Sequence, residues 1–355
     1  MLKDRILSAR RLMERLEVEA LLFLHLPNIR YLSGFTGSDG ALLIRHDEGW
    51  FLTDSRYTTQ AEREVFCSST VTYRSKVEGI AECVQKAGSR RLGIEAEHMT
   101  VSFHDALSAA LPGVELVAVG SELDELRLLK DAAEVELLDR SASIASEALI
   151  QVLDQLRPGS VERDVALALE ILMKQKGAED KAFDFIVASG VRGALPHGRA
   201  SEKVIAAGEL VTLDFGARFD GYHSDETVTV AIGKPDSRQR EIYSIVKDAH
   251  DLALAGVKPG VALKELDSIA RGHIESKGYG SCFGHGLGHG VGLEVHEKPT
   301  VSFRSDGVLK EGMVITVEPG IYIPEWGGVR IEDTVIVTAD GYRVLSKVPK
   351  DLIVI

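Results

Sequence analysis

Long apolar runs, basic stretches and paired cysteines are all missing from this chain. No run of about 18 apolar residues, the length that a membrane-spanning helix needs, occurs in the 355 residues. The N-terminal Met-Leu-Lys-Asp-Arg also lacks the apolar core of a signal peptide. Acidic residues outnumber basic ones by 54 to 41, which gives a formal net charge of −13. We therefore predict a soluble, cytoplasmic protein that binds neither membranes nor nucleic acid.

Cysteine is rare, and its positions argue against two common structural roles. The three cysteines, Cys67, Cys83 and Cys282, are odd in number, far apart and without CxxC spacing. This pattern favours reduced thiols over a disulfide framework or a zinc ribbon.

The N-terminal third of the chain alternates short strands with helices. We predict strands at 20–24, 41–45, 50–53, 71–74, 91–94 and 114–119, and helices at 54–65, 77–86 and 102–111. This small α/β domain has no phosphate-binding glycine signature and no clustered histidines, so we expect no chemistry of its own. A long amphipathic helix begins in the charged stretch 122–136, and we place the domain limits at 1–123 and 124–355.

The second domain contains an internal repeat. Arg157-Pro158-Gly159 precedes a predicted helix that ends at Lys176-Gly177, and Lys258-Pro259-Gly260 precedes another that ends at Lys277-Gly278. Both pairs of landmarks are separated by 101 residues. Half-domains that cannot bury their sheets alone would pack together about a pseudo-twofold axis, which brings their hairpins to the centre.

Each half ends in a predicted hairpin with an acid on both arms. In the first hairpin the arms are 211–217 and 222–231, and a four-residue loop would place Asp214 opposite Asp225. Their Cβ atoms would then be about 5 Å apart, where like charges repel unless a cation lies between them. In the second hairpin the arms are 313–323 and 329–337 on either side of 324–328, and Glu318 falls within about one residue of the position opposite Glu332.

A glycine-spaced histidine run lies between the two hairpins. Glycines alternate with His285, Leu287 and His289, so both histidines share one face of an extended segment. His296 has the wrong parity for a flat strand and needs a bulge or bend to join them. Four carboxylates and an imidazole would form an oxygen-rich site, which favours Mn, Co or Fe over the thiolates of structural zinc.

These segments resemble the pita-bread metallopeptidases of the Xaa-Pro aminopeptidase and Xaa-Pro dipeptidase (prolidase) branch. The catalytic half carries Val-Thr-Leu-Asp214-Phe-Gly, Ser-Asp225-Glu-Thr, His285-Gly-Leu-Gly-His289, Val-His296-Glu, Val-Glu318-Pro-Gly-Ile-Tyr322 and Val-Arg330-Ile-Glu332-Asp-Thr. Asn28-Ile-Arg-Tyr-Leu-Ser-Gly-Phe-Thr-Gly and Thr53-Asp-Ser-Arg-Tyr57 resemble the creatinase-type N-terminal domain of the same branch. The resemblance implies an α/β (α+β) protein in which this small domain precedes a pseudo-twofold pita-bread catalytic domain.

The resemblance also implies roles for individual residues. Five of them match the ligands of a dinuclear centre, most often Mn, with Co, Zn or Fe also used: Asp214, Asp225, His289, Glu318 and Glu332. Asp225 and Glu332 match the bridging carboxylates. His197, His285 and His296 match substrate-side histidines, and Tyr322 and Arg330 match positions near the metals. We expect Glu318 to shuttle a proton, and we expect the N-terminal domain, which has no chemistry of its own, either to cap the site or to support a homodimer.

The resemblance leaves the exact specificity open. Some strict dipeptidases of the branch carry an arginine where this chain has Thr300, so we favour an Xaa-Pro aminopeptidase, with prolidase as the alternative. Lys298 or Arg304 could still bind a substrate carboxylate. The partners would be small peptides with proline at the second position. A metal-free creatinase and a non-catalytic peptide-binding module on the same fold are remote alternatives, because both would normally have lost ligands.

Overall fold

The structure is a computed structural model that describes residues 2–66 and 69–355. The chain divides into two compact units, Met1–Arg127 and Leu128–Ile355. Short helices at Ser121–Asp124 and Glu125–Leu128 lie at this division, and the limits 1–123 and 124–355 are kept as a proposal. Cys83 and Cys282 are free thiols, whereas Cys67 lies outside the described residues. No helix in the described ranges has the length and apolar character to span a membrane.

The first unit is a six-stranded sheet flanked by helices. The strands are β1 Ala20–Phe23, β2 Ala41–Arg45, β3 Gly49–Thr53, β4 Ser69–Thr72, β5 Arg91–Glu95 and β6 Glu115–Val119, in the order β4-β3-β2-β1-β5-β6. The helices are α1 Leu2–Arg15, α2 Leu26–Ser33, α3 Thr58–Glu64, α4 Lys76–Ala87 and α5 Val101–Ala110. The six predicted strands and three predicted helices are confirmed, with end residues that differ by up to four positions, most in α3, which begins at Thr58 and not at residue 54.

Two helices of this unit were not predicted. Helix α1 buries Ile6, Ala9, Leu12 and Met13, which recur on one face at helical spacing. Helix α2 has a proline at its start and ends at Gly34, whose φ of 84° is the left-handed conformation of a helix C-cap. Both segments therefore carry sequence signals that are typical of helices.

The second unit contains four long helices and thirteen strands among its described residues. The helices are α7 Ala132–Leu153, α8 Glu162–Gln175, α9 Ser237–Gly256 and α10 Leu263–Ser276, with α6 the short Glu125–Leu128. The strands of the first half are β7 Asp180–Lys181, β8 Ile186–Ser189, β9 Leu210–Phe215, β10 Ala217–Phe219, β11 Tyr222–His223 and β12 Glu226–Ala231. Those of the second half are β13 Gly288–Gly290, β14 Glu297–Val301, β15 Val314–Val317, β16 Gly320–Ile323, β17 Gly327–Arg330, β18 Asp333–Val337 and β19 Tyr342–Val344.

The structure confirms the predicted duplication. Helices α8 and α10 are both 14 residues long, and their bounds are offset by 101 residues. Gly159 and Gly260, which precede them, have φ of 94° and 87°. The sheets also correspond, since β12-β9-β8 in the first half matches β18-β15-β13, the three central strands of the five-stranded sheet in the second.

Each half buries its own apolar core between its helix pair and its sheet. In the first half, α7 and α8 pack on β8, β9 and β12. In the second, α9 and α10 pack on the sheet that contains β15 and β18. Helices α7 and α9 both begin with a capping box, Asp131 with Glu134 and Asp236 with Gln239, which satisfies N–H groups that a helix start leaves unpaired. The hairpins that follow these helices carry the predicted acids.

Candidate metal centre

The first acidic hairpin has a tighter turn than predicted. Phe219 pairs with Tyr222 across a two-residue turn, Asp220-Gly221, whose φ values of 45° and 77° are typical of such turns. Asp214 therefore pairs with Thr227, and the predicted pairing of Asp214 with Asp225 is wrong. The preference of Asp-Gly for the two central positions of a turn is the sequence signal that indicates the shorter loop.

The error in register does not move the acids to different faces. Asp225 precedes Thr227 by two residues, and side chains two apart on a strand lie on the same side of the sheet. Asp214 and Asp225 are thus diagonal neighbours rather than direct partners. The charge of Asp214 is among the causes that raise the pKa of Asp225, as their predicted proximity requires.

The second hairpin brings its two acids together as predicted, although its turn is the three residues 324–326 and not the predicted five, 324–328. Val317 pairs with Asp333 in one ladder, and Gly320 pairs with Arg330 in the next. The two ladders have the same register, so the residues between them are paired in the same way. This register places Glu318 opposite Glu332. The predicted proximity of these two acids is therefore confirmed.

The two hairpins and the histidine run meet at one place. Ligand atoms of Asp225, His289 and Glu332 all lie within 4.8 Å of one another. His289 Nε2 is 3.5 Å from Asp225 Oδ2 and 3.4 Å from Glu318 Oε1. Asp214 is linked to the group in two ways. Its charge raises the pKa of Asp225, and Arg330 Nη2 donates to its Oδ2 at 2.6 Å.

Burial and mutual repulsion raise the pKa values of three of these acids, Asp225, Glu318 and Glu332. Burial, and then the charges of Glu332, Asp214 and Glu318, raise the pKa of Asp225 well above its usual value. Burial, followed by the charges of Glu318 and Asp214, does the same to the pKa of Glu332. Burial also raises the pKa of Glu318. Carboxylates this close are stable in their charged form only when positive charge lies between them.

The donor set fits divalent cations. Asp214 Oδ1 is buried and has no hydrogen-bond partner among the described residues, which is costly unless another group binds it. His289 Nδ1 donates to Gly290 O at 3.0 Å, so the lone pair of its neutral ring is on Nε2, beside Asp225 and Glu318. Burial lowers the pKa of His289, which keeps the ring neutral, as metal ligation requires.

Two threonines that the sequence analysis missed support the acids. Thr227 Oγ1 donates to Glu332 Oε2 at 2.6 Å, and Thr316 Oγ1 donates to Glu318 Oε1 at 3.2 Å. Thr227 lies two residues after Asp225, and Thr316 lies two residues before Glu318. The period of two along each strand is therefore a signal that would have found both.

His285, Tyr322 and Arg330 form a hydrogen-bonded chain beside the acids. His285 Nδ1 donates to Gly286 O at 2.8 Å, so its Nε2 accepts from Tyr322 OH at 2.9 Å. The Tyr322 oxygen in turn accepts from Arg330 Nη1 at 2.8 Å. Both ring nitrogens of His285 are thus engaged by the protein, which fits a positioning role better than direct donation to a substrate.

A bulge brings His296 to the site, as its parity required. The pairing of β13 with β14 shifts between His289 and Gly290, and the rings of His289 and His296 then lie with centroids 4.3 Å apart. Glu297 fixes this bend, because its Oε1 accepts from the backbone N–H of Glu294 at 3.2 Å. The Oε2 atom of Glu297 forms a buried ion pair with Lys130 Nζ at 2.9 Å.

His197 lies on a loop that is fixed at both ends. The neighbouring Pro196 O accepts from Arg330 Nη1 at 3.2 Å. At the base of the loop, the fully buried Glu162 accepts from Ser189 and Ser201, on either side of His197. Glu162 was also missed, because an acid in the first turn of a helix is ordinarily read as a surface group.

Comparisons with known proteins agree with this arrangement. The family model of metallopeptidase family M24 matches residues 136–339, and that of the creatinase/prolidase N-terminal domain matches residues 5–129. A relative described as uncharacterized peptidase YqhT of Bacillus subtilis is 46% identical over 347 residues, which is 98% of either chain. An Xaa-Pro dipeptidase of Pyrococcus horikoshii is 41% identical over 342 residues, which is 96% of either chain.

Two solved structures resemble the whole chain. The Xaa-Pro dipeptidase from Bacillus anthracis superposes with a TM-score of 0.98 at 42% identity and covers 100% of both chains. The X-Pro aminopeptidase from Thermotoga maritima has a TM-score of 0.90 at 39% identity and covers 96% of this chain and 99% of its own. Structures with either description are therefore similar to this one.

Proposed function

Because this chain belongs to metallopeptidase family M24 and is a metal-dependent peptidase of the pita-bread fold, we propose that it hydrolyses the bond between an N-terminal residue and proline. The convergence of Asp225, His289, Glu318 and Glu332, joined to Asp214 through Arg330, carries this proposal. Xaa-Pro dipeptidase is the second candidate, and relatives with that description favour it. Thr300, where some strict dipeptidases have arginine, favours the aminopeptidase.

The proposed metal ligands are Asp214, Asp225, His289, Glu318 and Glu332. Asp225 and Glu332 are the proposed bridging ligands, because both are buried and both have ligand atoms within 4.8 Å of each other and of His289. We propose manganese, with cobalt, iron or zinc as alternatives, because four of the five donors are carboxylates. When bound, two such ions would acidify an attacking water and polarise the scissile carbonyl.

Glu318 is the proposed proton carrier. Its carboxylate lies 3.4 Å from His289 Nε2, among the other proposed ligands, where it can take a proton from the attacking water and pass it to the departing proline nitrogen. Thr316 donates to its Oε1, which fixes the orientation of the group.

His296 and His197 are the proposed donors to the substrate carbonyl and to the oxyanion that develops on it. Burial lowers the pKa of His296, so near neutral pH its ring is neutral and offers one N–H. His285 is proposed to act indirectly. It holds Tyr322, which together with Arg330 maintains one wall of the site.

The bond before proline is a tertiary amide without an N–H. A peptidase that recognises its substrates through this N–H cannot bind such a bond. Recognition must therefore depend on the shape of the proline ring and on the free amino group. The acidic centre would attract that amino group. Small Xaa-Pro peptides are therefore the proposed partners.

A homodimer supported by the N-terminal unit is also proposed, since that unit shows no chemistry of its own. Full activity from a monomer, as measured by light scattering, would contradict this. We further propose a cytoplasmic location, because Cys83 and Cys282 are free thiols, as is usual in reducing compartments.

Matched peptides test the proposed function. The manganese-loaded protein is assayed on an Xaa-Pro dipeptide, an Xaa-Pro-Xaa tripeptide, the N-acetylated tripeptide and an Xaa-Ala-Xaa control. Cleavage of both proline peptides but of neither control supports the aminopeptidase, whereas cleavage of the dipeptide alone supports prolidase. Equal cleavage of the alanine control, or no cleavage of any peptide, would contradict the proposal.

A further inference from the structure

Helix α10 carries a buried ion pair that binds the backbone of the histidine run. Asp267 is fully buried, and Arg271 lies one turn further along the same helix. Arg271 Nε and Nη2 donate to the two oxygens of Asp267 at 2.7 and 2.9 Å. This two-point geometry is available to arginine but not to lysine.

Both members of the pair also form hydrogen bonds with the backbone of the loop that precedes His289. Arg271 Nη1 donates to Phe283 O at 2.9 Å, and Nη2 donates to His285 O at 2.7 Å. Asp267 Oδ1 accepts from the backbone N–H of Leu287 at 3.0 Å. Three alternate residues of one extended segment are therefore bound to a single helix turn.

The same segment is tied directly to the acids. Leu287 O accepts from the backbone N–H of Glu318 at 2.9 Å, so the peptide groups of Leu287 link Asp267 to Glu318. His289 N donates to Thr316 Oγ1 at 3.0 Å. Any shift of this segment along its length would move His289 relative to Glu318.

Aromatic rings enclose the guanidinium. The Arg271 Cζ atom lies 4.3 Å from the centroid of Phe283 and 5.0 Å from that of Phe303. A cation near aromatic rings is stabilised by their π-electrons, and the rings restrict its movement. The side chain is 23% exposed, so the pair is shielded from water on most sides.

Comparison of the two repeats shows that the Asp267–Arg271 pair occurs only in the half that carries the histidine run. The 101-residue offset aligns Asp267 with Ala166 and Arg271 with Glu170 of helix α8. The first half therefore keeps the helix but has neither residue of the pair. The corresponding segment of the first half, 182–186, contains no histidine.

We propose that Asp267 and Arg271 are positioning residues that set the register of the histidine run, and thereby fix His289 in place for metal binding. The proposal rests on the proposed function, because it takes His289 as a ligand. Neither residue contacts the reacting atoms. They act through the backbone of 283–287.

Two variants test the proposal, with a third as control. Arg271→Lys keeps the charge but loses the two-point geometry, and Asp267→Asn keeps the shape but weakens every bond that the carboxylate accepts. Ile274→Val, at a fully buried position of the same helix, removes one carbon from the core but no side-chain hydrogen bond to the loop. Mn²⁺ binding to the full chain is measured by calorimetry, and amide hydrogen exchange of 283–289 is measured on metal-free protein.

Both variants are expected to bind Mn²⁺ about 10- to 100-fold more weakly, the usual effect of losing an outer partner of a ligand. They are also expected to exchange faster in 283–289, while Ile274→Val changes neither measurement. Unchanged affinity and exchange in both variants, or equal losses in the control, would overturn the proposal. If the wild-type chain bound no Mn²⁺, the proposed function would fail, and the exchange measurement alone would still decide this proposal.

Discussion

Arg330 in β17 donates to Asp214 in β9 at 2.6 Å, so a buried arginine of the second half holds an acid of the first. Its Nε donates to Thr227 Oγ1 at 3.2 Å, and Thr227 in turn donates to Glu332. One guanidinium thus fixes a proposed ligand directly and reaches another through a single hydroxyl group. The two halves of the repeat are joined where the metal centre requires both.

Replacing Arg330 should therefore destabilise the protein as well as the site. Arg330→Met leaves Asp214 and Tyr322 without their buried partner, and breaking such a pair typically lowers the free energy of unfolding by about 3 to 5 kcal/mol. Urea denaturation of the metal-free protein measures this, with Arg56→Met on the exposed Arg56–Asp54 pair as the control. A loss no larger than that of the control would contradict the role given to Arg330.

Asp225→Asn should separate stability from function. Burial and neighbouring acids raise the pKa of Asp225. This group therefore lowers the free energy of unfolding of the metal-free protein as the pH rises from its unfolded-state pKa to its higher folded-state pKa. The metal-free variant should therefore be at least as stable as the wild type at neutral pH. Thermal melting with and without Mn²⁺ measures this.

The same Asp225→Asn variant should bind no Mn²⁺ and gain no stability from it, whereas the wild type gains stability with increasing ligand concentration. Hydrolysis should be lost as well. A variant that keeps full activity would disprove the ligand assignment.

Glu318→Gln should reduce turnover far more than it changes substrate affinity. Loss of a general acid–base group typically costs about 10²- to 10⁴-fold in rate, and the amide cannot carry a proton from water to the proline nitrogen. Steady-state kinetics at matched metal content give kcat and KM separately. An unchanged kcat would remove Glu318 from the role of proton carrier.

A cluster of charged residues around the buried His250 should make the free energy of unfolding depend on pH. His250 is 1% exposed, and its ring nitrogens lie 3.1 Å from Asp251 and 3.2 Å from Asp333. Lys350 also contacts Asp333, at 3.4 Å. Burial alone would lower the pKa of His250, but the two carboxylates raise it, and the net pKa lies above the ordinary 6.5.

A raised pKa means that protonated His250 stabilises the fold fully below pH 6.5, and that this stabilisation is lost as the pH rises through the higher folded-state value. The stability difference between the wild type and His250→Gln should therefore shrink as the pH is raised above 6.5 and through the higher folded-state pKa of His250. Denaturation at a series of pH values measures the difference. A difference that stays constant or grows would contradict the assigned pKa direction.

Local patterns were sufficient to predict much of the fold. The 101-residue offset predicted the duplicated helices, and alternation of polar and apolar residues predicted the acidic arms. In the first hairpin, the sequence predicts a turn of four residues, whereas the structure has a turn of two, Asp220-Gly221. Because the resulting error is two residues, the faces of Asp214 and Asp225 remained correct although their partners did not.

Features that depend on distant contacts were beyond prediction. The bend that carries His296 to the site is held by Glu297 and by Lys130, which lies 167 residues earlier in the chain. The anchoring of the His197 loop depends on Glu162, which is 27 residues from Ser189 and 39 from Ser201. Sequence periodicity describes one element at a time, so it contains no information about such pairings.

The central claim is that Asp214, Asp225, His289, Glu318 and Glu332 together hold a pair of divalent ions. Anomalous scattering from crystals of the protein grown with manganese chloride tests it most directly. Two peaks about 3.5 to 4 Å apart, each surrounded by these side chains, are the predicted result. Manganese peaks located only elsewhere, or none among the five residues, would contradict the account.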